Sequence, residues 1–298
     1  MKTITSLLII LFCAKTLNTV GQENPSASVK KIRIHDFSIR GGTFSNNSIN
    51  GSLTDSRSLA PNSVLLKEDF TGYRTLNGFA TTNYGMLSVA LGLQFRDKTK
   101  STYRKNPVLR LGATYYTGTN FTAGFVNEIS TPYDTLTSSQ TGQVVYVDST
   151  YRKTYGVNYR SNQLRLDGSL IYSTNKEARW SVYAGIGITA GLSINATTEI
   201  FYRTSQNAGY NFSNDITYHS NEHYDSSRDL ETFRNKTNFS FSAYIPIGVD
   251  FRIGKKGLLN SMHLFFELAP LINSTVIPEL HTLTNAGVQQ SLGFKYVF

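Results

Sequence analysis

WSVYAGIGITAGLSIN, residues Trp180–Asn195, decides the fold. Its even positions read Trp180, Val182, Ala184, Ile186, Ile188, Ala190, Leu192 and Ile194. Its odd positions read Ser181, Tyr183, Gly185, Gly187, Thr189, Gly191 and Ser193. A period of two puts every apolar residue on one face of a strand and the small or polar residues on the other. FSFSAYIPIGVDFRI, Phe239–Ile253, repeats the pattern and sets Ser240, Ser242, Tyr244, Gly248, Asp250 and Arg252 against its apolar face. Weaker copies lie at Leu87–Phe95, Leu109–Tyr115, Leu164–Tyr172, Met262–Leu268 and Ala286–Phe298. Segment 30–44 is the least regular, because Ile32 and Ile34 share one face while Phe37 and Ile39 share the other. A bulge or a late start accounts for that break.

A soluble sandwich also alternates, but its strands run about 5–6 residues. Here alternation persists for 15 residues, and the polar face carries Arg, Asp, Glu and Lys. In a membrane barrel the apolar face meets lipid and the polar face lines the interior, and about ten tilted residues cross the hydrocarbon layer. Connection lengths agree. The turns 97–106, 174–177 and 254–257 are short, whereas the gaps 45–82, 119–157, 204–235 and 273–283 are mostly long. Short turns alternating with long external loops are the pattern of an outer-membrane barrel. The fold expected is an all-β, antiparallel up-and-down transmembrane barrel of eight strands, or ten if 121–151 enters the membrane. Phe95, Tyr172, Trp180 and Phe251 fall on the lipid face near periplasmic strand ends, where an aromatic belt belongs.

The N-terminus reads as an export signal. Met1 and Lys2 precede the apolar run Ile4–Ala14, which is too short to span a bilayer. Thr19 and Gly21 place small residues for cleavage before Gln22. That leaves 1–21 as signal peptide and 22–298 as a single barrel domain. Cys13, the only cysteine, leaves with the signal, which excludes a disulfide framework or a cysteine metal site.

The ending Leu292-Gly293-Phe294-Lys295-Tyr296-Val297-Phe298 alternates aromatics and closes on Phe. Leu292, Phe294, Tyr296 and Phe298 resemble the C-terminal assembly signal of bacterial outer-membrane barrels. With the export signal, the chain resembles the small outer-membrane β-barrel proteins of Bacteroidota, a group that includes PorT-like proteins, over essentially all of 30–298. The resemblance implies an outer-membrane location in a Gram-negative bacterium, with both termini periplasmic. It further implies insertion by the barrel-assembly machinery after delivery by periplasmic chaperones.

Narrow barrels fill their interior with side chains. The inward set includes the charged residues Arg110, Arg165, Asp167, Asp250, Arg252, His263, Glu267 and Lys295. Buried charges require partners, so Arg165, Asp167 and Glu267 are expected to form a mid-barrel network. These residues either brace and plug the barrel or line a polar conduit, and close packing of small barrels favours the plug. Gly185, Gly187 and Gly191 make room for large residues opposite. They lack the strand–turn–helix setting of a phosphate loop.

His219, Glu222 and His223 spell the inverted zinc-peptidase pattern. That chemistry needs a helix to bring the two histidines to one face. The surrounding NDITYHSNEHYDSSRD has no apolar helical stripe. A solvated loop is the favoured reading there, with weak metal binding as the alternative and no cofactor expected. No G-x-S-x-G marks a serine nucleophile. The loops, rich in Ser, Thr, Asn and Tyr, suit adaptable contact with an external protein or glycan. Residues 121–151 read as a hairpin projecting beyond the membrane, its tip near Ser138–Gly142.

The formal charge of +9 is not a nucleic-acid footprint. Lys98, Lys100, Arg104, Lys105, Lys176, Lys255 and Lys256 crowd the short turns, while the long loops are net acidic. The basic turns are expected to meet anionic outer-membrane lipid headgroups of the inner leaflet. The function expected is non-enzymatic, with external loops for surface interaction or envelope structure. A PorT-like secretion accessory, a small-solute channel and an outer-membrane protease or lipid-modifying enzyme stand as alternatives.

Overall fold

The computed structural model describes residues 32–47, 51–76, 81–95, 107–137, 139–140, 142, 144–174, 178–211, 217–219 and 228–298. Its antiparallel sheet contains a ring of eight strands. They are β1 (Ile32–Asn47), β2 (Thr81–Phe95), β3 (Val108–Thr137), β4 (Val144–Ser173), β5 (Trp180–Asn211), β6, β7 (Met262–Val276) and β8 (Thr282–Val297). β6 comes in three pieces, Arg228–Arg234, Phe239–Tyr244 and Ile247–Arg252. Pairing of β1 with β8, with Ile39 opposite Phe294, closes the ring.

Alternation sorts the two faces. Leu166 is 73% exposed and Ile186 66%, whereas Arg165, Asp167 and Glu267 on the other face are buried. A continuous exposed apolar band of this kind is a lipid-facing wall. β6 carries Pro246, which has no N–H to donate, and its ladder breaks there. The neighbours compensate, since the Pro246 carbonyl accepts from Gly185 N at 2.9 Å and Ile245 N donates to the Pro270 carbonyl at 3.0 Å. The irregular start of the chain resolves as a β-bulge between Ile34 and Asp36. The bulge reverses parity, so Asp36, Ser38 and Arg40 turn inward.

Two sequence expectations are corrected here. Residues 121–137 and 144–151 lengthen β3 and β4 outside the ring and add no ninth or tenth strand. The gaps 119–157 and 204–235, assigned to loops, are strand over most of their described length. The β3–β4 pair matches the hairpin read at 121–151, whereas polar composition hid the strands within 204–235, because outside the membrane neither face needs to be uniformly apolar. The β3–β4 hairpin turns at Ser139–Gln140, with Gly142 at φ +68°, a backbone region open to glycine.

β3, β4 and β5 run 30, 30 and 32 residues. With the first piece of β6 they form a sheet that rises beyond the apolar band at the loop end. Its inner face holds Phe121, Phe125, Val157 and Ile200, and the first loop packs against it. There α1 (Leu53–Leu59) starts at a capping box, in which Ser52 Oγ accepts from Asp55 N and Asp55 Oδ2 accepts from Ser52 N. Burial pushes the Asp55 carboxyl up, but the Ser52 hydrogen bonds outweigh it and hold the group below the ordinary carboxylate range. Leu59, Ala60 and Leu66 fill the inner face.

Candidate functional site

The interior is built in layers. At mid-barrel Glu267, fully buried on β7, accepts from Arg40, from both terminal nitrogens of Arg110 at 2.8 and 3.2 Å, and from the Tyr183 hydroxyl at 2.9 Å. Arg40 also reaches Asp167 at 3.1 Å, and Asp167 accepts from the Tyr244 hydroxyl at 2.7 Å. Two arginines thus clamp two carboxylates, and tyrosines take the remaining lone pairs. The tyrosine rings fit because glycines face them. A Cβ on Gly187 would lie 2.3 Å from the Tyr244 ring, and one on Gly248 would lie 2.3 Å from the Tyr183 ring.

Arg165 belongs to a different layer, which corrects the three-residue network expected from sequence. It donates to Gln163 Oε1, Ser242 Oγ and Asn273 Oδ1. Its guanidinium lies 4.7 Å from the centre of the Tyr116 ring. Arg165 is therefore satisfied by neutral dipoles, and the positive partner of Asp167 is Arg40. Sequence reading missed Arg40 because the bulge at His35 shifts its parity. The signal was present in the sequence: Phe37 and Ile39 turning outward forces Asp36, Ser38 and Arg40 inward.

Toward the end that carries Ile32 and Phe298 lies a third group. His35 Nδ1 is 2.5 Å from Asp36 Oδ2, His263 Nδ1 is 2.6 Å from Asp250 Oδ1, and Lys295 bonds the other Asp250 oxygen. A cavity of about 90 Å3 opens between these groups and Arg110. Arg252 is half-buried beside them on β6. Among the described residues no cluster of three or more His, Cys, Asp or Glu side chains is arranged to hold a metal.

At the same end Trp180 and Phe251 pack with ring centres 4.4 Å apart, and Tyr172 is exposed on the lipid face. The side chain of Phe95 lies outside the described residues. Leu292 and Phe294 are exposed on the outer wall, and Tyr296 packs against Phe298 at 5.2 Å. Phe298 N donates to the His35 carbonyl, tying the chain end to β1 beside the bulge.

Above the lumen, the first loop is pinned as a cap. The Tyr155 hydroxyl donates to Glu68 at 2.6 Å, Ser63 Oγ donates to Glu231 at 2.5 Å, and Asn235 Nδ2 donates to the Leu59 carbonyl at 2.7 Å. Burial, and then the bond to Glu68, push the Tyr155 hydroxyl well above its ordinary pKa. Burial and the neighbouring Tyr151 raise Tyr202 to about 12. Phe70, Tyr73, Tyr155 and Tyr202 form a chain of ring contacts at 4.7–5.7 Å. The backbone of Thr217–His219 pairs with the end of β5. Glu222 and His223 lie outside the described residues, and so does the His219 side chain.

A closed ring of eight antiparallel strands, apolar outside and polar and filled inside, is an integral outer-membrane β-barrel. No helix among the described residues is long and apolar enough to cross a membrane. Neither a protein-family profile nor a curated protein matches the sequence. Among solved structures the chain is similar to Neisserial surface protein A, at 10% identity and a TM-score of 0.31, over 88% of this chain and 97% of that one. It is also similar to the transport unit of the autotransporter AIDA-I from Escherichia coli, at 10% identity and 0.20, over 94% and 95%. A third is the translocator domain of NalP from Neisseria meningitidis, at 8% and 0.19, over 99% and 97%.

Proposed function

We infer that this protein is a non-enzymatic, non-conducting outer-membrane barrel that presents a rigid external surface to a protein or glycan partner, with both termini in the periplasm. The observation that carries the reading is the first loop, seated as a cap on the inner face of strands that continue outward, above a lumen already filled by the Glu267 layer. Holding a loop in a folded cap costs about 1–2 kcal/mol of backbone entropy per residue. That cost favours a defined contact surface, since a featureless connector needs no fixed shape. Tyr151, Tyr202 and Lys153 line the inner side of the extension above the cap. The two tyrosine rings offer flat amphipathic area of the sort that contact surfaces use, and Lys153 Nζ lies 3.5 Å from Glu68 of the cap. The loop lengths and the aromatic pair Trp180–Phe251 at the end carrying Phe298 support this orientation. Resemblance to the Bacteroidota barrels supports the same envelope. A PorT-like accessory role would use this same external surface.

Planar-bilayer recording tests the plug. The wild-type protein is expected to give no discrete openings, and a stable unitary conductance would overturn the non-conducting reading. Orientation is tested with Ser139→Cys at the β3–β4 tip. A membrane-impermeant maleimide is expected to label it in whole cells, and labelling only after lysis would reverse the topology. Assays for peptide and lipid A hydrolysis by the pure barrel are expected to be blank.

A further inference from the structure

A polar groove sits on the outer wall immediately above the apolar band at the loop end. On β3, β4 and β5 the outward row Tyr115–Leu164–Leu192 belongs to the band. The next outward row is Thr117, Asn162 and Asn195, and beyond it Arg160 stands opposite Thr197, followed by Glu199. The switch from apolar to polar takes two residues along β3 and β4 and three along β5, where the exposed Ile194 intervenes. A bulge coincides with it. Asn162 pairs with Asn195 while Gln163 pairs with Ser193, which leaves Ile194 as the extra residue. A second bulge lies between Thr119 and Phe121 on β3. Bulges bend a strand and re-aim its side chains, and here the wall is hollowed into a groove of about 360 Å3.

The chemistry of the groove is mixed. Thr117 Oγ1 donates to Asn162 Oδ1 at 2.7 Å, so the Asn162 amide nitrogen is left to donate elsewhere. Arg160 is 55% exposed at its side chain and stands 3.8 Å from Glu199, a loose pair in which both groups keep further hydrogen-bonding capacity. Farther out, the Phe201 ring lies over Gly156, where a Cβ would come within 2.1 Å of it. Three rows two residues apart span about 13 Å along the strands, the length of two to three linked sugar rings. Interleaved donors and acceptors, one balanced ion pair and a nearby aromatic face match hydroxyl-rich rings. A phosphate site would need unopposed cations.

We propose that this groove binds the sugar headgroup of an outer-leaflet glycolipid, whose acyl chains lie along the band below Thr117, Asn162 and Asn195. It is separate from the capped platform and depends only on the loop end facing outward, which the Ser139→Cys labelling tests by itself.

The experiment uses the full barrel in detergent micelles, with fluorescent rough-type lipopolysaccharide as the probe. Phosphatidylglycerol and the soluble core oligosaccharide serve as competitors. Wild type is expected to bind the probe and to resist competition by phosphatidylglycerol. The double variant Asn162→Ala, Asn195→Ala is expected to bind about tenfold more weakly, the effect of one or two lost hydrogen bonds. Ser274→Ala, outward on β7, is expected to leave binding unchanged. Heat-modifiability on gels verifies that each variant is folded. Displacement by the soluble oligosaccharide shows that the groove takes the glycan free or anchored. Failure to displace, with the double variant still weakened, shows that it takes only the lipid-anchored form. Equal binding by wild type and double variant, or displacement by phosphatidylglycerol, overturns the proposal.

Discussion

Replacing Glu267 with Gln keeps the shape of the side chain and removes its charge. Glu267 accepts four hydrogen bonds, three from Arg40 and Arg110 and one from Tyr183. Its oxygens lie where no water reaches, since the residue is 0% exposed. After the change, Arg40 keeps Asp167 at 3.1 Å, Arg110 keeps Ser169 Oγ at 3.1 Å but loses its carboxylate partner, and an amide N–H2 faces cationic donors. Breaking a buried ion pair from one side costs about 3–5 kcal/mol, because the desolvated partner charge is left behind. Folded proteins hold roughly 5–15 kcal/mol in all, so Glu267→Gln removes a large share. The assay is urea unfolding in lipid vesicles followed by Trp180, the single tryptophan of the chain. Trp180 is 62% exposed on the outer wall, so its emission reports exit from lipid. Lys255→Gln, at an exposed turn, is the reference and is expected to change stability by less than about 0.5 kcal/mol. If Glu267→Gln loses less than about 1 kcal/mol against it, the layered ion network does not organise the lumen and the reasoning from burial fails.

Two further outcomes follow from close contacts elsewhere. Gly248→Ala drives a methyl group into the Tyr183 ring, displacing its hydroxyl from Glu267. A loss of about 1–3 kcal/mol is expected from the overpacking, and a Tyr183→Leu background should recover part of it in the same unfolding assay. In the cap, the raised Tyr155 hydroxyl fixes the sign of a pH effect. Its pKa is higher folded than unfolded, so the stabilisation is complete below the ordinary tyrosine value of 10.0 and declines as pH rises beyond it. The late-titrating part of the tyrosinate absorbance should therefore shrink by one residue in Tyr155→Phe, and an unchanged titration curve would refute the assignment.

The sequence by itself determined the class of fold. Alternation at Trp180–Asn195 and Phe239–Ile253 follows from a two-residue repeat facing lipid on one side, a constraint so strict that it is written residue by residue. The spacing of short and long gaps pointed to eight strands with ten left open, and the closed ring of the structure decided for eight. Inward placement of Arg110, Asp167 and Glu267 was legible for the same reason, since parity along a regular strand is local information. Who pairs with whom was not. Arg40 entered the network through one extra residue at His35, and the partner of Asp167 lay 127 positions away in the chain. Arg165 was assigned to carboxylates on charge alone, and only the packed interior showed it held by Gln163, Ser242 and Asn273. The projecting β3–β4 hairpin was legible at 121–151, but the outer reach of β5 was hidden, because beyond the bilayer a strand is no longer marked by an apolar face. Only the tertiary structure, by seating Leu59 and Leu66 against Phe121 and Ile200, decided that the first loop is a folded cap and that the polar rows at Asn162 and Asn195 meet in one groove.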